Sequence, residues 1–242
     1  LYRREGRCLL DWERKVADRF DAGLFVSETE AADFRKLAPE FAGKIGYYNN
    51  GVDAVYFSPD TAYPNLYPAG VRALVFTGAM DYWPNIDAVT WFVQEVLPEL
   101  RQKHPDVVFY IVGSRPSPEV RALAGDAVTV TGRVEDVRPY LVHAAAVVAP
   151  LRIARGIQNK VLEAMAMAKT VVSSPQALEG IAAVVDAEIL RADTPSHFVF
   201  ALERILQGFD CGQAARARVM ADYTWASSLA RVEALLPHTG AS

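Results

Sequence analysis

The sequence predicts an α/β domain: a parallel sheet flanked by helices on both faces. Three observations predict it. Short runs rich in β-branched and aromatic residues alternate with segments of helical period. Nearly all of those runs are apolar on both faces, as strands of a covered parallel sheet must be. The chain of 242 residues, 51% hydrophobic and 22% charged, has an ordinary globular composition and enough length to bury a sizeable core.

Taken in order, the first segment (1–57) holds a helix, "LLDWERKVADRF", a strand-like "AGLFVS", a second helix, "ETEAADFRKLA", and the loop "YYNNGVDAVYFSP". It reads as the end of another domain. The stretch "SPDTAYPNLYPAG" (58–70) carries three prolines and no periodicity, the pattern of an interdomain linker. The main domain is expected over 71–225, with a C-terminal helix and tail at 226–242. Its strands are "RALVFTG" (72–78), "VVFYIVG" (107–113), "AVTVTG" (127–132), "AVVAP" (146–150), "TVVSS" (170–174) and "EILRA" (188–192). Between the first two, Ile86, Val89, Val93, Val96, Leu97 and Leu100 recur at helical spacing after the start signal Pro84-Asn85, so the unit is βαβ. Later helices are expected at 117–124, 135–145, 158–168, 195–208, 212–222 and 226–236.

Charge and composition narrow the function. A net charge of −4 argues against a generally basic nucleic-acid surface, so no nucleic-acid partner is expected. Cys8 and Cys211 have neither disulfide-framework nor metal-ligand spacing, which fits a reducing cytoplasm. No apolar run approaches a membrane span. The strings GxGxxG, GxxxxGK[ST], HExxH and GxSxG are absent, which disfavours dinucleotide, P-loop, zincin and serine-hydrolase chemistry.

In an open parallel sheet, ligands sit beyond the carboxyl ends of the strands. The richest such loop is "APLRIARGIQNKVLEAMAMAKTVVSS" (149–174), where Arg152, Arg155 and Lys160 fall within nine positions. Gly156 allows close backbone approach, and a helix starts near Gln158 and Asn159. A helix start with cations suits phosphate; a solvated helix start would look the same. Glu163 stands in an otherwise apolar helix and either accepts ribose hydroxyls or pairs with Lys160 at i−3. Gly78 opens a loop with Asp81, Tyr82 and Trp83, where a sugar could stack or where the rings merely cover the core edge. Arg133 and Val134 follow a further strand end. Of the histidines, His143 reads as a core or edge residue and His104, His197 and His238 as surface residues.

With these loops laid out, the chain resembles the donor-binding, Rossmann-like C-terminal half of a GT-B glycosyltransferase, most closely the retaining family-4 group. The residues that carry the resemblance are "NNGVDAVYFSP", "LVFTGAMDYWPNIDAV", "FYIVGSRPSPEV", "VTVTGRVEDVRPYL" and above all "PLRIARGIQNKVLEAMAMAKTVVSS". Members of that group show a Glu, seven residues, then a second Glu in a helix, and Glu163 occupies the second place. The resemblance implies that Glu163 binds the ribose of a UDP- or GDP-linked sugar, that the helix start at Gly156–Lys160 with Asn159 holds the diphosphate, and that the base lies near Arg133 and Val134 beside Gly78. It implies transfer of the sugar, a hexosyl group, to a glycan or lipid-linked acceptor in polysaccharide or glycolipid assembly, with no cofactor beyond the nucleotide-sugar.

It further implies that residues 1–57 are a remnant of an N-terminal acceptor domain, most of which lies outside a sequence that begins at Leu1, so this piece alone is expected to be inactive. Cytoplasmic placement, with peripheral contact at the inner membrane face through that missing half, is part of the same expectation. The closing "YTWASSLARVEALL" resembles the helix that GT-B enzymes pass back between domains. Two departures stand out: Arg155 occupies the place of the first Glu, and Ala79 that of a phosphate-binding Arg, with no Lys a few positions later. Arg155, Lys160 and Arg152 are therefore expected to supply the catalytic positive charge, and the absence of a DxD string implies metal independence. A non-catalytic nucleotide-sugar-binding module, a nucleotide-sugar epimerase and a flavodoxin-like scaffold stay open as alternatives.

Overall fold

The structure, a computed structural model, describes residues 2–234. The chain divides into two compact units, one of residues up to Gly51 together with Trp225 onward, the other Val52–Thr224. The sequence boundaries lay elsewhere, at 57/58 and 70/71, and part of the expected C-terminal tail, 235–242, with His238, lies outside the described residues.

In the first unit, α1 (Tyr2–Arg19) is followed by β1 (Gly23–Phe25), α2 (Glu28–Leu37), a 3₁₀ turn (Pro39–Lys44) and β2 (Ile45–Tyr47). The two strands pair in parallel, and Ala17, Ala31, Phe34, Ala38 and Ile45 form a small core. Ser27 caps α2 by accepting from the Glu30 amide at 3.2 Å. The short β2 ends where the loop read in sequence begins, at Tyr47, in a stretch to which the sequence assigns no element; its residues carry too few apolar neighbours to announce a strand.

In the second unit, among the described residues, a parallel sheet runs in the order β5-β4-β3-β6-β7-β8. Its strands are β3 (Arg72–Thr77), β4 (Val107–Val112), β5 (Val128–Gly132), β6 (Ala146–Ala149), β7 (Val171–Ser173) and β8 (Leu190–Arg191). Leu74, Val75, Phe76, Ile111, Val147 and Val172 are buried on both faces, as helices above and below require. The chain leaves β3 toward β4 and β5 on one side, then returns to the other side of β3 as β6. The carboxyl ends of β3 and β6 therefore splay, and their two loops flank a crevice.

The connection after β3 is α3 (Trp83–Trp91), a π-helical turn (Phe92–Val96) and α4 (Leu97–Lys103), where the sequence period predicts one helix. Pro98 accounts for the break, because it has no N–H to continue the ladder and its ring crowds the preceding turn. Further on lie α5 (Pro118–Arg121), α6 (Arg138–His143), α7 (Asn159–Ala166), α8 (Pro195–Leu206) and α9 (Gly212–Asp222); α10 (Trp225–Glu233) belongs to the first unit.

The stretch 58–70, expected as a linker, is instead fixed to the sheet unit. Tyr67 is buried against Tyr110 and Tyr140 and donates its hydroxyl to the Tyr140 carbonyl. His143 meets the Tyr63 carbonyl at 2.8 Å and Arg216 donates to Ser58 Oγ at 3.3 Å, while just ahead of the stretch Arg138 donates to the Tyr56 carbonyl at 3.1 Å and Arg216 to that of Phe57 at 3.2 Å. Prolines keep this strap extended, and side chains from distant helices hold it.

Candidate functional site

The crevice beyond β3 and β6 is a cleft of about 570 Å³, within the range of small-molecule sites. Three strands end in glycine around it: Gly78 after β3, Gly113 after β4 and Gly132 closing β5. The Gly78 amide donates to the Val112 carbonyl at 3.1 Å, and that of Gly113 to Gly132 at 3.3 Å. A Cβ on Gly113 would stand 1.7 Å from the Gly78 carbonyl oxygen, and one on Gly78 would stand 2.7 Å from Asn85 Nδ2 and 3.0 Å from Lys160 Nζ. Glycine is therefore required sterically at 113, where the clash is with backbone, whereas a side chain at 78 would push the Asn85 amide and the Lys160 ammonium aside.

Lys160, in the first turn of α7, reaches under the Gly78 loop. Its ammonium donates to Asn85 Oδ1 at 2.6 Å and lies 4.1 Å from the centre of the Phe76 ring. Asn85, itself buried, donates its Nδ2 to the Ala79 carbonyl at 2.9 Å, so one amide fixes both the loop and the cation. Burial pushes the Lys160 ammonium down to about 7, and Glu163 opposes that shift. Glu163, one turn along α7, is pushed up by the same burial, with Lys160 opposing. Burial thus works against the charged form of each group, and an anion beside Lys160 would favour its ammonium.

Arg133, Val134 and Val137, from the loop after β5, also line it, as does Phe57, just ahead of the strap. The start of α7 lacks the side-chain cap that Thr194 gives α8 and Ser27 gives α2. Among the described residues no group of three His, Cys, Asp or Glu converges as metal ligands.

The sequence-predicted residues are thus only partly gathered. Gly78, Arg133, Val134, Lys160 and Glu163 share the cleft. Arg152 does not line it; its guanidinium grips Asp87 through two hydrogen bonds, one of 3.0 Å, in an exposed ion pair. Arg155 lines a separate, adjoining pocket. Gly156 adopts a left-handed conformation (φ 66°) that suits glycine, and its carbonyl accepts from Gln158 Nε2 at 3.1 Å; Gly156 and Asn159 flank the cleft without lining it. Asn85, Gly113 and Ser114 are cleft residues that the sequence reading passed over. Gly113 and Gly132 were legible, since "YIVG" and "VTVTG" repeat the strand-then-glycine pattern of "VFTG". In the sequence Asn85 reads only as part of a helix start signal.

Comparison with known proteins fits this geometry. The model of the family described as Glycosyl transferases group 1 matches residues 71–208, more than half of the chain, and the chain belongs to that family. No curated protein sequence matches significantly. Among solved structures it is similar to a glycosyltransferase from Rickettsia africae ESF-5 (TM-score 0.71, 16% identity, 92% of this chain and 65% of that one). It is also similar to sucrose-phosphate synthase from Thermosynechococcus elongatus (0.71, 19%, 93% and 60%). A third is Anabaena HepE, solved with UDP and glucose (0.72, 14%, 93% and 65%). The fold is that of a GT-B glycosyltransferase, and the chain spans under two thirds of each of these proteins.

Proposed function

We propose that this chain is the donor-binding half of a retaining, family-4-type glycosyltransferase that moves a hexosyl group from a UDP- or GDP-linked sugar to a glycan or lipid-linked acceptor. The observation that carries the reading is the Lys160–Glu163 pair, largely shielded in a cleft that the strand-end glycines Gly78 and Gly113 also line. Glu163 would accept two ribose hydroxyls, which bond best to its anionic form. Lys160 and the uncapped start of α7 would face the diphosphate, with Arg133 also lining the cleft.

When the bond from the anomeric carbon to the diphosphate oxygen breaks, charge grows on the leaving oxygens. A cation held in place by Asn85 stabilises that charge without reorganising at the moment of reaction. The reading includes metal independence, since lysine, arginine and backbone amides face the leaving group, and it assigns residues 1–57 to the acceptor-side domain. Placement in the cytoplasm at the inner membrane face, and a role in polysaccharide or glycolipid assembly, belong to the same proposal; no helix among the described residues is long and apolar enough to cross a membrane.

The test is a calorimetric titration of the full-length protein with UDP, GDP and ADP, beside Glu163→Ala. Saturable binding of UDP or GDP, weakened about tenfold or more by loss of hydrogen bonds to a carboxylate, is expected. Absence of nucleotide binding, or equal affinity in the variant, would overturn it.

A further inference from the structure

Next to the cleft is a second pocket of about 380 Å³, formed between the turn at Tyr82–Asn85 and the loop Leu151–Gln158. Tyr82, Asn85 and Gln158 line both spaces, so the two adjoin. Tyr82 and Trp83 are 61% and 57% exposed, an unusual concession for large rings on adjacent residues. Ring faces of this kind suit the C–H faces of a sugar while leaving its hydroxyls to water.

The charges around this pocket balance except at one place. Asp87 is taken by Arg152, and Asp81 by Arg115 at 3.0 Å. No acidic side chain lines the pocket, and among the described residues no carboxylate pairs with Arg155. The exposed guanidinium of Arg155 is thus the uncompensated charge of a pocket walled otherwise by aromatic, aliphatic and amide groups. A guanidinium offers two parallel N–H donors that match a carboxylate. Gly156 and the contacts from Gln158 Nε2 to the Arg155 and Gly156 carbonyls shape the loop that carries it.

We propose that this second pocket holds the sugar of the donor, and that the sugar bears a carboxylate which Arg155 receives. The inference rests on the donor-site reading of the cleft: a sugar joined to a diphosphate seated beside Lys160 and Asn85 enters the adjoining pocket past Asn85, which lines both. Trp83 and Tyr82 contact the ring, and Arg155 selects a uronic acid over the neutral hexose, in which the sixth carbon is an alcohol.

The test is a titration of the full-length protein with UDP, UDP-glucose and UDP-glucuronate, and with GDP, GDP-mannose and GDP-mannuronate. In the series whose nucleotide binds, the uronate conjugate is expected to bind about tenfold more tightly than the hexose conjugate. Arg155→Ala should bring that ratio to about one, and Arg155→Lys, which keeps the charge but not the fork, should retain part of it. Equal or tighter binding of the hexose conjugate, or an unchanged ratio in Arg155→Ala, would overturn the inference while leaving the nucleotide site standing. Failure of UDP and GDP themselves to bind would remove the donor-site reading, and this inference with it.

Discussion

Arg152 and Lys160 stand eight positions apart in one loop-and-helix segment, yet they meet opposite surroundings. Arg152 is half exposed and bound to Asp87, so its charge is neutralised before any ligand arrives. Lys160 is sunk beneath the Gly78 loop, held by a neutral amide and an aromatic face, with its charge suppressed by burial. Exposed ion pairs contribute little and change little. A shielded lysine near neutrality is costly to keep and responds strongly to an anion. Cations close together in sequence are not interchangeable: the one proposed to face the diphosphate is held by an amide and a ring, and the other is already spent on a carboxylate.

The largest effect expected from this comparison follows Lys160→Met. Methionine keeps an apolar stem over the Phe76 ring, so the protein should stay folded, while transfer by the full-length enzyme falls about 10²–10³-fold, as on losing one preorganised charge-stabilising donor. An unchanged rate would end the distinction between the two cations. Next comes Asn85→Ala, which strips Lys160 of its partner and leaves the Ala79 carbonyl unmet. It should cost about 1–3 kcal/mol in denaturant unfolding, the range for leaving a buried polar group unsatisfied, and should weaken nucleotide binding as well. The smallest is Arg152→Ala, with stability altered by less than about 1 kcal/mol and nucleotide affinity preserved. A large loss of affinity there would put Arg152 back in the donor site.

Much of the fold was legible because its signals are local. The runs around Leu74, Ile111 and Val147 announce buried strands whatever surrounds them, and α9 at Gly212–Asp222 falls on its expected span. The order of the stretch 58–70 was not legible, because it comes from Tyr67, His143 and Arg216, contacts that no window of sequence contains.

The site divides in the same way. Gly78, Arg133 and Glu163 stand at strand ends or inside an apolar helix face, so each carries its own mark. The bond from Lys160 to Asn85 joins residues 75 positions apart, and that between Arg152 and Asp87 joins residues 65 apart. The sequence shows three cations within nine positions, and tertiary structure alone sends one to the cleft, one to a neighbouring pocket and one to an ion pair.

With its ammonium pushed down to about 7 by burial, Lys160 is expected to be largely neutral above pH 7 without a ligand and charged beside a bound diphosphate. Its folded value of about 7 lies below the ordinary lysine value, so at pH 8 an anion that favours the ammonium must draw in a proton. Calorimetry of UDP or GDP binding at pH 8, repeated in HEPES and in Tris, reads that proton from the difference in buffer ionisation heat. Uptake approaching one proton in the native protein, abolished in Lys160→Met, is the predicted result. Binding with the same heat in both buffers would show that Lys160 does not change charge, and would contradict the account.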